Sequence, residues 1–257
     1  MPASPTYTAR ACVLRKTKLG EADLIVTLIA SDGSQMRAVA KGARKPKSTF
    51  ASRLELYTEV DVLCARGKSL DIVKEARLVA PRARVRSSLE HAAGAACMAE
   101  LLERVTQENL PVPRLFDMTH VALDALERAE AEQVPLITAA HLLKALSFAG
   151  LRPHLSSCVA CGADVDAQRG APLRLAVAEG GVVCEACARH AQTVPLSAVA
   201  AAWAQAALGS TFSQLLQTDA PLQAGVDLLH LAQTWCVAHV GARCKSIEFL
   251  LTVGLFA

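Results

Sequence analysis

Four of the nine cysteines occur in two closely spaced pairs, a spacing typical of metal sites. Cys158 and Cys161 form one C-x2-C pair, and Cys184 and Cys187 form a second pair further along the chain. A two-residue gap lets both thiolates of a pair converge on one ion, and four tetrahedral sulfur ligands are what structural Zn²⁺ takes. The sequence therefore predicts a zinc ion without an open coordination position, which is a structural metal and not a catalytic one.

Two histidines and five further cysteines bear on this assignment. His154 and His190 flank the four cysteines and could replace a ligand, but we expect both to be surface histidines beside a complete site. The remaining cysteines share no metal-site spacing and are predicted to be small buried hydrophobic residues. These are Cys12, Cys64, Cys97, Cys236 and Cys244.

The second group of residues that could do chemistry is a cluster of cations in 39-VAKGARKPKSTF-50. Lys41, Arg44, Lys45 and Lys47 lie within seven residues, and no acidic residue is among them. Such a cluster is either a solvated loop or a surface for a polyanion. Residues 1–86 contain 17 Lys and Arg against 8 Asp and Glu, whereas the rest of the chain has an excess of acidic residues. This asymmetry favours a polyanion-binding N-terminal part.

Other cations of the same part accompany the cluster, and Arg37 is added to the candidate DNA-binding residues. The others are Arg10, Arg15, Lys16, Lys18, Arg53, Arg66 and Lys68, followed by Arg82, Arg84 and Arg86. Contacts of such residues with phosphates give salt-sensitive binding that does not depend on base sequence. Aromatic residues for base stacking are few, namely Tyr7, Phe50 and Tyr57, so we expect electrostatic binding with modest strand preference.

The N-terminal third must position the basic cluster, and its pattern predicts five strands. β-branched and alternating residues indicate strands over 7–17, 24–30, 35–41, 55–65 and 70–79, with a hairpin turn at Asp32-Gly33. Five strands in about eighty residues without helices between most of them are typical of a small barrel of the OB type. OB barrels commonly bind oligonucleotides.

The pattern changes to helical spacing after Pro81, and an insertion interrupts the helices. Helices are predicted over 85–105, 114–129, 136–149, 197–208, 222–240 and 243–253. The stretch 158–187 carries the four cysteines and has hairpin character around Glu179-Gly180-Gly181. The predicted fold is therefore α+β, with an OB-type barrel at 1–80 and a helical domain at 81–257. Within the helical domain, residues 154–192 form a small zinc-binding insertion.

The sequence contains none of the common catalytic fingerprints. Neither phosphate-binding glycine motif is present, and G-x-S-x-G and H-E-x-x-H are also absent. Lone histidines such as His141 lie within helical patterns and are predicted to be packing or surface residues. No export signal and no apolar run long enough to span a bilayer is visible. We therefore expect a cytoplasmic protein that is not an enzyme and has no membrane partner.

Several segments together resemble the bacterial recombination mediator RecO family. They are 20-GEADLIVTLIASDGSQMRAVAKGARKPKSTF-50, 69-SLDIVKEARLV-79, 148-FAGLRPHLSSCVACG-162 and 184-CEAC-187. The resemblance covers nearly the whole chain in order. It implies a nucleoid-associated DNA repair protein of the RecF recombination pathway that binds single- and double-stranded DNA and anneals complementary strands. It also implies contacts with RecR and with the C-terminal tail of single-strand-binding protein, which help to load RecA.

The resemblance also assigns roles to particular residues. Lys41, Arg44, Lys45 and Lys47 match the basic K-G-x-R segment of the family, which implies contact with DNA. Cys158, Cys161, Cys184 and Cys187 match a zinc quartet that some members lack. Two other readings of the residues stay open at this stage. One is an RNA- or ribosome-associated protein, since OB barrels and zinc ribbons are common there, and the other is a zinc-dependent enzyme.

Overall fold

The computed structural model describes residues 5–165 and 173–252 of the 257-residue chain. The chain divides into two compact units, Met1–Glu127 and Arg128–Ala257. The predicted domain limits at residues 80 and 81, and those of the insertion at 154 and 192, stay predictions. A compact unit shows which residues pack together, and it does not test where an independently folding domain begins or ends.

The first unit contains a closed five-stranded barrel, which confirms the predicted architecture. Its strands are β1 (Thr6–Leu19), β2 (Asp23–Ala30), β3 (Gln35–Ala40), β4 (Glu59–Ala65) and β5 (Asp71–Ala80). Around the barrel the order is β1-β2-β3-β5-β4, and β4 closes onto β1. Neighbouring strands are antiparallel except β3 and β5, which run parallel with Val39 beside Ile72.

Alternation along the strands decides which side chains fill the barrel. Ala38 and Ala40 of β3 are buried in the barrel core together with Val26 and Leu28 of β2. Because successive side chains of a strand point to opposite faces, Arg37 points outward, and it is exposed. An outward-facing row therefore starts on β3 and leads into the loop that follows this strand.

The β2–β3 connection is the tight hairpin that the sequence predicts. A carboxylate oxygen of Asp32 accepts a hydrogen bond from the backbone nitrogen of Ser34 at 2.9 Å. Gly33 has a φ of +80°, and a Cβ atom at this position would lie 1.9 Å from the carbonyl oxygen of Val112. The turn therefore requires glycine both for its backbone conformation and for this close approach.

The fourth strand begins later than residue 55, where the sequence predicts it. A single helical turn, α1 (Phe50–Arg53), is followed by an irregular turn, and β4 starts at Glu59. Tyr57 has a φ of +65°, which a strand does not accommodate. Thr58 Oγ1 donates a hydrogen bond to the carbonyl oxygen of Glu55 at 2.7 Å. The backbone of Tyr57 and Thr58 still forms hydrogen bonds with Val13 of β1, at 2.8 and 3.0 Å, so the turn distorts the edge of the β1–β4 pairing instead of extending β4 regularly.

Helices follow the barrel within the first unit, but the helix predicted over 85–105 is two helices separated at Ser88, whose backbone is extended with φ −105° and ψ 137°. The helices after the barrel are α2 (Ala83–Ser87), α3 (Leu89–Val105) and α4 (Pro113–Arg128). The Ser88 side chain caps α3 by accepting a hydrogen bond from the backbone nitrogen of His91. Gln35 Nε2 donates to the carbonyl oxygen of Glu103 at 3.1 Å, so the last turns of α3 are tied to the start of β3.

The second unit is mainly helical. Its helices are α5 (Val134–Phe148), α6 (Glu185–Ala188), α7 (Ala198–Gly209), α8 (Phe212–Leu216), α9 (Leu222–Trp235) and α10 (Lys245–Thr252). α5 is buried on nearly all sides, and His141 within it is fully buried, as expected for a packing residue. A Cβ atom at Gly225 of α9 would lie 2.6 Å from the backbone nitrogen of Leu136, so glycine permits the close packing of α9 on α5.

The last two predicted helices are present, with a change of hydrogen bonding in the first of them. The helix predicted over 222–240 is α9 followed by a π-helical turn, Cys236–Val240, which ends at Gly241 with a φ of +70°. The helix predicted over 243–253 is α10, and residue 253 lies outside the described residues. Helical periodicity therefore gives the correct extent of the first of these segments but does not reveal the change in hydrogen bonding.

The cysteine-bearing stretch forms a small antiparallel sheet. Its strands are β6 (Leu173–Ala176), β7 (Gly181–Val183) and β8 (Val194–Leu196), in the order β7-β6-β8. The predicted hairpin corresponds to β6 and β7 and is confirmed. Residues 166–172 of the predicted insertion lie outside the described residues. β8 has three residues with Pro195 at its centre, a pattern too short to indicate a strand.

Candidate nucleic-acid interface and metal centre

Several cations of the first unit are neutralised by carboxylates of the same unit. Lys16 Nζ lies 2.7 Å from a carboxylate oxygen of Glu55, and Arg10 Nε lies 3.0 Å from one of Asp61. The further pairs are Arg15 with Glu103, Arg66 with Asp71 and Arg77 with Asp61. All of these cations except Arg77 were predicted to support DNA binding as a group, but their charge is already partly compensated within the protein. They add less to a positive surface potential than their number indicates.

Arg82 is a structural residue, and the expectation that it extends the basic surface is wrong. Only 3% of its side chain is exposed, and it lies 3.5 Å from Glu59 and 3.0 Å from Asp124. It also donates a hydrogen bond to the carbonyl oxygen of Tyr57 at 3.3 Å, and His120 lies 2.5 Å from Glu59. This network, which is buried at Arg82 and Glu59 and partly exposed at its α4 end, joins β4 to α4. Sequence alone cannot distinguish such an arginine from a surface one.

The predicted DNA-binding residues differ from these paired cations. Arg37, Lys41, Arg44, Lys45 and Lys47 are all exposed. Among residues 5–165 and 173–252, none of the five forms an ion pair with a carboxylate. Their charge is therefore available to an external anion. We refer to Lys41–Lys47 as the basic loop.

The basic loop is held in place by its backbone and not by its lysines. Asp23 at the start of β2 accepts a hydrogen bond from the backbone nitrogen of Gly42 at 2.7 Å. The backbone nitrogen of Arg44 donates to the carbonyl oxygen of Ala22 at 2.9 Å, and Arg44 Nη1 donates to that of Gly20, also at 2.9 Å. Gly42 has a φ of +67°, which favours glycine. The 20-GEAD-23 segment therefore holds the K-G-x-R segment in place by accepting hydrogen bonds from Gly42 and Arg44.

This arrangement gives Arg44 a second role that its sequence position does not reveal. One of its guanidinium nitrogens is bonded to the β1–β2 turn, whereas Lys41, Lys45 and Lys47 have free ammonium groups within the described residues. Asp23 was not identified as a functional residue because an acidic side chain has no obvious place in an anion-binding site. The sequence shows only that 20-GEAD-23 and the K-G-x-R segment lie near each other along the chain. It does not show that Asp23 accepts a hydrogen bond from Gly42.

The three aromatic residues of the barrel offer little open surface, in agreement with the expectation of weak stacking. Tyr57 is only 8% exposed, and Phe50 packs partly buried against the barrel core. Tyr7 is partly buried, donates a hydrogen bond to Asp71, and has the guanidinium of Arg66 over its ring at 4.2 Å. Burial and this hydrogen bond raise the pKa of Tyr7 well above its usual range.

The four cysteines of the two pairs converge in the second unit. Their sulfur atoms all lie within 4.8 Å of one another, and Cys161 Sγ is 3.8 Å from Cys184 Sγ. A tetrahedral ion with sulfur ligands at about 2.3 Å separates these ligands by about 3.8 Å. The cluster therefore has the donor chemistry and the spacing for a metal ion such as Zn²⁺.

Local backbone structure brings the two pairs into this geometry. The turn of the first pair is closed by a hydrogen bond from the backbone nitrogen of Gly162 to the carbonyl oxygen of Cys158 at 2.8 Å, with a φ of +74° at the glycine. Cys184 is the residue preceding α6, and Cys187 lies within it. The β6–β7 hairpin delivers the second pair to the first, as the spacing predicts.

The thiol pKa values of the cluster are shifted in opposite directions. The backbone N–H of Cys184 lowers the pKa of the Cys158 thiol to about 6. The neighbouring sulfur atoms, that of Cys184 first, raise the pKa of Cys187 to about 12. Because neighbouring thiolates repel one another, all four can lose their protons together only if a positive ion lies between them.

The two flanking histidines lie outside the cluster found among the described residues. His154 is exposed and its Nε2 lies 2.6 Å from Ser157 Oγ, and His190 is exposed. The backbone of His154 instead forms hydrogen bonds with Gly180 and Val182, which joins the first cysteine pair to the β6–β7 hairpin. Neither imidazole is needed to complete a four-sulfur site.

No helix within the described ranges is both long and apolar enough to cross a membrane.

Comparison with known families gives two matches. The family model described as recombination protein O N terminal matches residues 2–82, and that described as recombination protein O C terminal matches residues 86–248. Together they span the barrel, the helices and the cysteine cluster.

Individual relatives support the same assignment. The chain is 37% identical to a DNA repair protein RecO of Bifidobacterium longum over 70% of its own length and 73% of the relative's. It is 35% identical to a protein of the same name from Desulfitobacterium hafniense over 83% of this chain and 74% of the relative. It is 40% identical to a DNA repair protein RecO of Frankia casuarinae over 72% of this chain and 75% of the relative. The chain therefore belongs to the recombination protein O (RecO) family.

Proposed function

We propose that this chain is a non-enzymatic DNA repair mediator that binds DNA phosphates through the basic loop and Arg37. The observation that carries this proposal is that these exposed cations lack carboxylate partners within the described residues, whereas many neighbouring cations are paired. Membership of a family whose relatives are named DNA repair proteins supports DNA as the polyanion.

Binding of this kind acts on single and double strands alike. Each phosphate neutralised by a lysine or arginine releases condensed counterions, so affinity falls steeply as salt is added. Cations that neutralise the phosphates of two strands also reduce the repulsion between those strands. This is the physical basis on which we expect the protein to anneal complementary single strands.

The proposal extends to the partners that the family resemblance implies. We expect contacts with RecR and with the C-terminal tail of single-strand-binding protein, through which the protein helps to load RecA onto coated single strands in a cytoplasmic compartment. We also infer that Cys158, Cys161, Cys184 and Cys187 hold a structural Zn²⁺. The sulfur spacing of the cluster supports this metal.

The decisive experiment compares free and paired lysines in a salt series. Lys45→Ala with Lys47→Ala removes two exposed charges without touching the hydrogen bonds that hold the loop. We expect weaker binding to every DNA sequence and a slope of log affinity against log salt that is reduced by about one per lost duplex contact. Lys16→Ala is the matched control, because Lys16 is already paired with Glu55.

Strand annealing is then measured for the same variants, with and without single-strand-binding protein. The double variant should anneal more slowly, and the control should not. If the folded double variant keeps the wild-type affinity and salt slope, the basic loop is not the DNA site. If the wild-type protein prefers structured RNA to DNA, the protein acts on RNA instead.

A further inference from the structure

A cavity of about 490 Å³ opens on the barrel away from the basic loop's anchoring turn, and no role has been assigned to it. It is lined by the start of β1, the β2–β3 hairpin and the β4–β5 turn, together with residues that follow α3. Arg37 from the proposed DNA surface lies on its wall, as do Tyr7 and Arg66. The cavity is therefore continuous with the surface that we propose binds phosphates.

The charges of the cavity wall argue against a phosphate inside it. Two arginines, Arg37 and Arg66, face three carboxylates, those of Asp32, Asp71 and Glu108. A group with a full negative charge would be repelled by these carboxylates, whereas a neutral group with N–H donors would find acceptors among them. The wall therefore suits a neutral, polar, planar group better than an anion.

Arg66 provides a fixed surface for such a planar group. Its guanidinium carbon lies 4.2 Å from the centre of the Tyr7 ring, and Nη1 lies 3.4 Å from Asp71. The backbone nitrogen of Arg66 donates to the carbonyl oxygen of Pro5 at 3.0 Å. With one side on Tyr7, the side chain is still 59% exposed, so its other side is open to a ligand. Bases stack on guanidinium groups as well as on aromatic rings.

We propose that this cavity holds one unpaired base of a DNA strand, stacked on Arg66, while Arg37 contacts the adjoining phosphate. The inference rests on the proposed function and refines it. A base inside a duplex is already stacked and paired, so it cannot enter without being unstacked. The cavity therefore gives the protein a contact with single strands that duplex DNA lacks, in addition to the contacts that both share through the basic loop.

The test compares a strand that has bases with one that has none. Binding of a short oligothymidine, an abasic strand of equal length and a blunt duplex is measured by fluorescence anisotropy at several salt concentrations. The wild-type protein should bind oligothymidine more tightly than the abasic strand by about fivefold or more. Arg66→Lys keeps the charge but removes the planar surface, so this ratio should fall toward one. The salt slope and duplex affinity should not change.

Arg77→Lys is the matched control, because Arg77 is also an exposed, ion-paired arginine of the barrel but does not line this cavity. It should keep the wild-type ratio. Tyr7→Leu should lower the ratio as Arg66→Lys does, if it folds. An unchanged ratio in Arg66→Lys would refute the base site, as would equal wild-type binding of the two single strands. In both cases a normal salt slope would leave the proposed function intact, whereas absence of any DNA binding would refute that function itself.

Discussion

The basic loop and the cysteine cluster are both held by backbone hydrogen bonds, but their side chains are arranged in opposite ways. In the loop, Asp23, Ala22 and Gly20 bind backbone and guanidinium groups, so the lysine charges remain exposed. In the cluster, the four thiols lie close to one another as potential metal ligands. From this comparison we expect charge to mark DNA binding in the basic loop and converging thiols to mark stability in the cluster. Substitutions should therefore separate the two.

The largest effect should come from breaking the cluster. Cys158→Ser removes one of four thiolate ligands, and structural zinc contributes about 10–16 kcal/mol of binding free energy in small zinc domains. We expect loss of bound zinc and a much lower melting temperature, while binding of DNA by the folded barrel changes little. Zinc content and thermal melting measure the first two quantities, and anisotropy measures the third.

Cys97→Ala is the control for this substitution, since Cys97 is buried in α3 and outside the cluster. It should cost about 1 kcal/mol and release no metal. A Cys158→Ser protein that keeps its zinc and its melting temperature would contradict the structural role of the cluster. A parallel loss of DNA affinity in the folded variant would contradict the separation from the loop.

The second effect tests whether a basic residue of the first unit can be purely structural. Arg82→Ala removes one partner of the buried Glu59 carboxylate, which keeps His120 at 2.5 Å and Arg10 at 3.7 Å. The cost should therefore be at or below the about 3–5 kcal/mol of a fully broken buried ion pair. We expect a lower urea midpoint and an unchanged salt slope for DNA binding. A reduced salt slope in the folded variant would mean that Arg82 contacts phosphate after all. Lys47→Ala should show the reverse pattern, with normal stability and a reduced slope.

The third effect is a pH dependence confined to the helical unit. Burial lowers the pKa of His141 to about 3, below the unfolded value of about 6.5. Its contribution to stability is therefore complete above about pH 6.5 and is lost as the pH falls below it, by roughly 2 kcal/mol at pH 5. His141→Leu should flatten this part of the profile in urea unfolding measured between pH 7.5 and pH 5.

His230→Gln supplies the control for the pH series, because it also removes a histidine of the helical unit, one that is exposed on α9. If His141→Leu and the wild-type protein lose stability equally between these pH values, the buried imidazole is not the cause. DNA binding by the barrel should follow the fraction of folded protein and show no separate titration in this range.

The sequence predicted the cysteine cluster and the barrel, but not the burial of Arg82 or the start of β4. Spacing sufficed for the cysteine pairs, because a metal site is defined by four donors and two short turns. Strand alternation sufficed for the barrel. The role of Arg82 was predicted wrongly because the charge of a residue does not show whether it is buried. The predicted start of β4 was too early because the positive φ of Tyr57 depends on local bonding around Thr58. The role of Asp23 required knowing which distant backbone groups it meets.

The smallest effect is the sharpest test of how the basic loop works. Asp23→Ala removes a negative charge close to the lysines, and simple electrostatics predicts tighter DNA binding. It also removes the acceptor for the Gly42 backbone nitrogen, a bond to a charged group worth about 1.5–3 kcal/mol. Because only part of this loss of loop stability affects DNA binding, we expect weaker binding by about threefold to tenfold. Asp23→Asn is the matched control, because its amide oxygen can still accept this bond while the charge is gone. Its affinity should equal or exceed that of the wild-type protein. Tighter binding by both variants would show that the loop does not need to be held, and that its cations act only through their net charge.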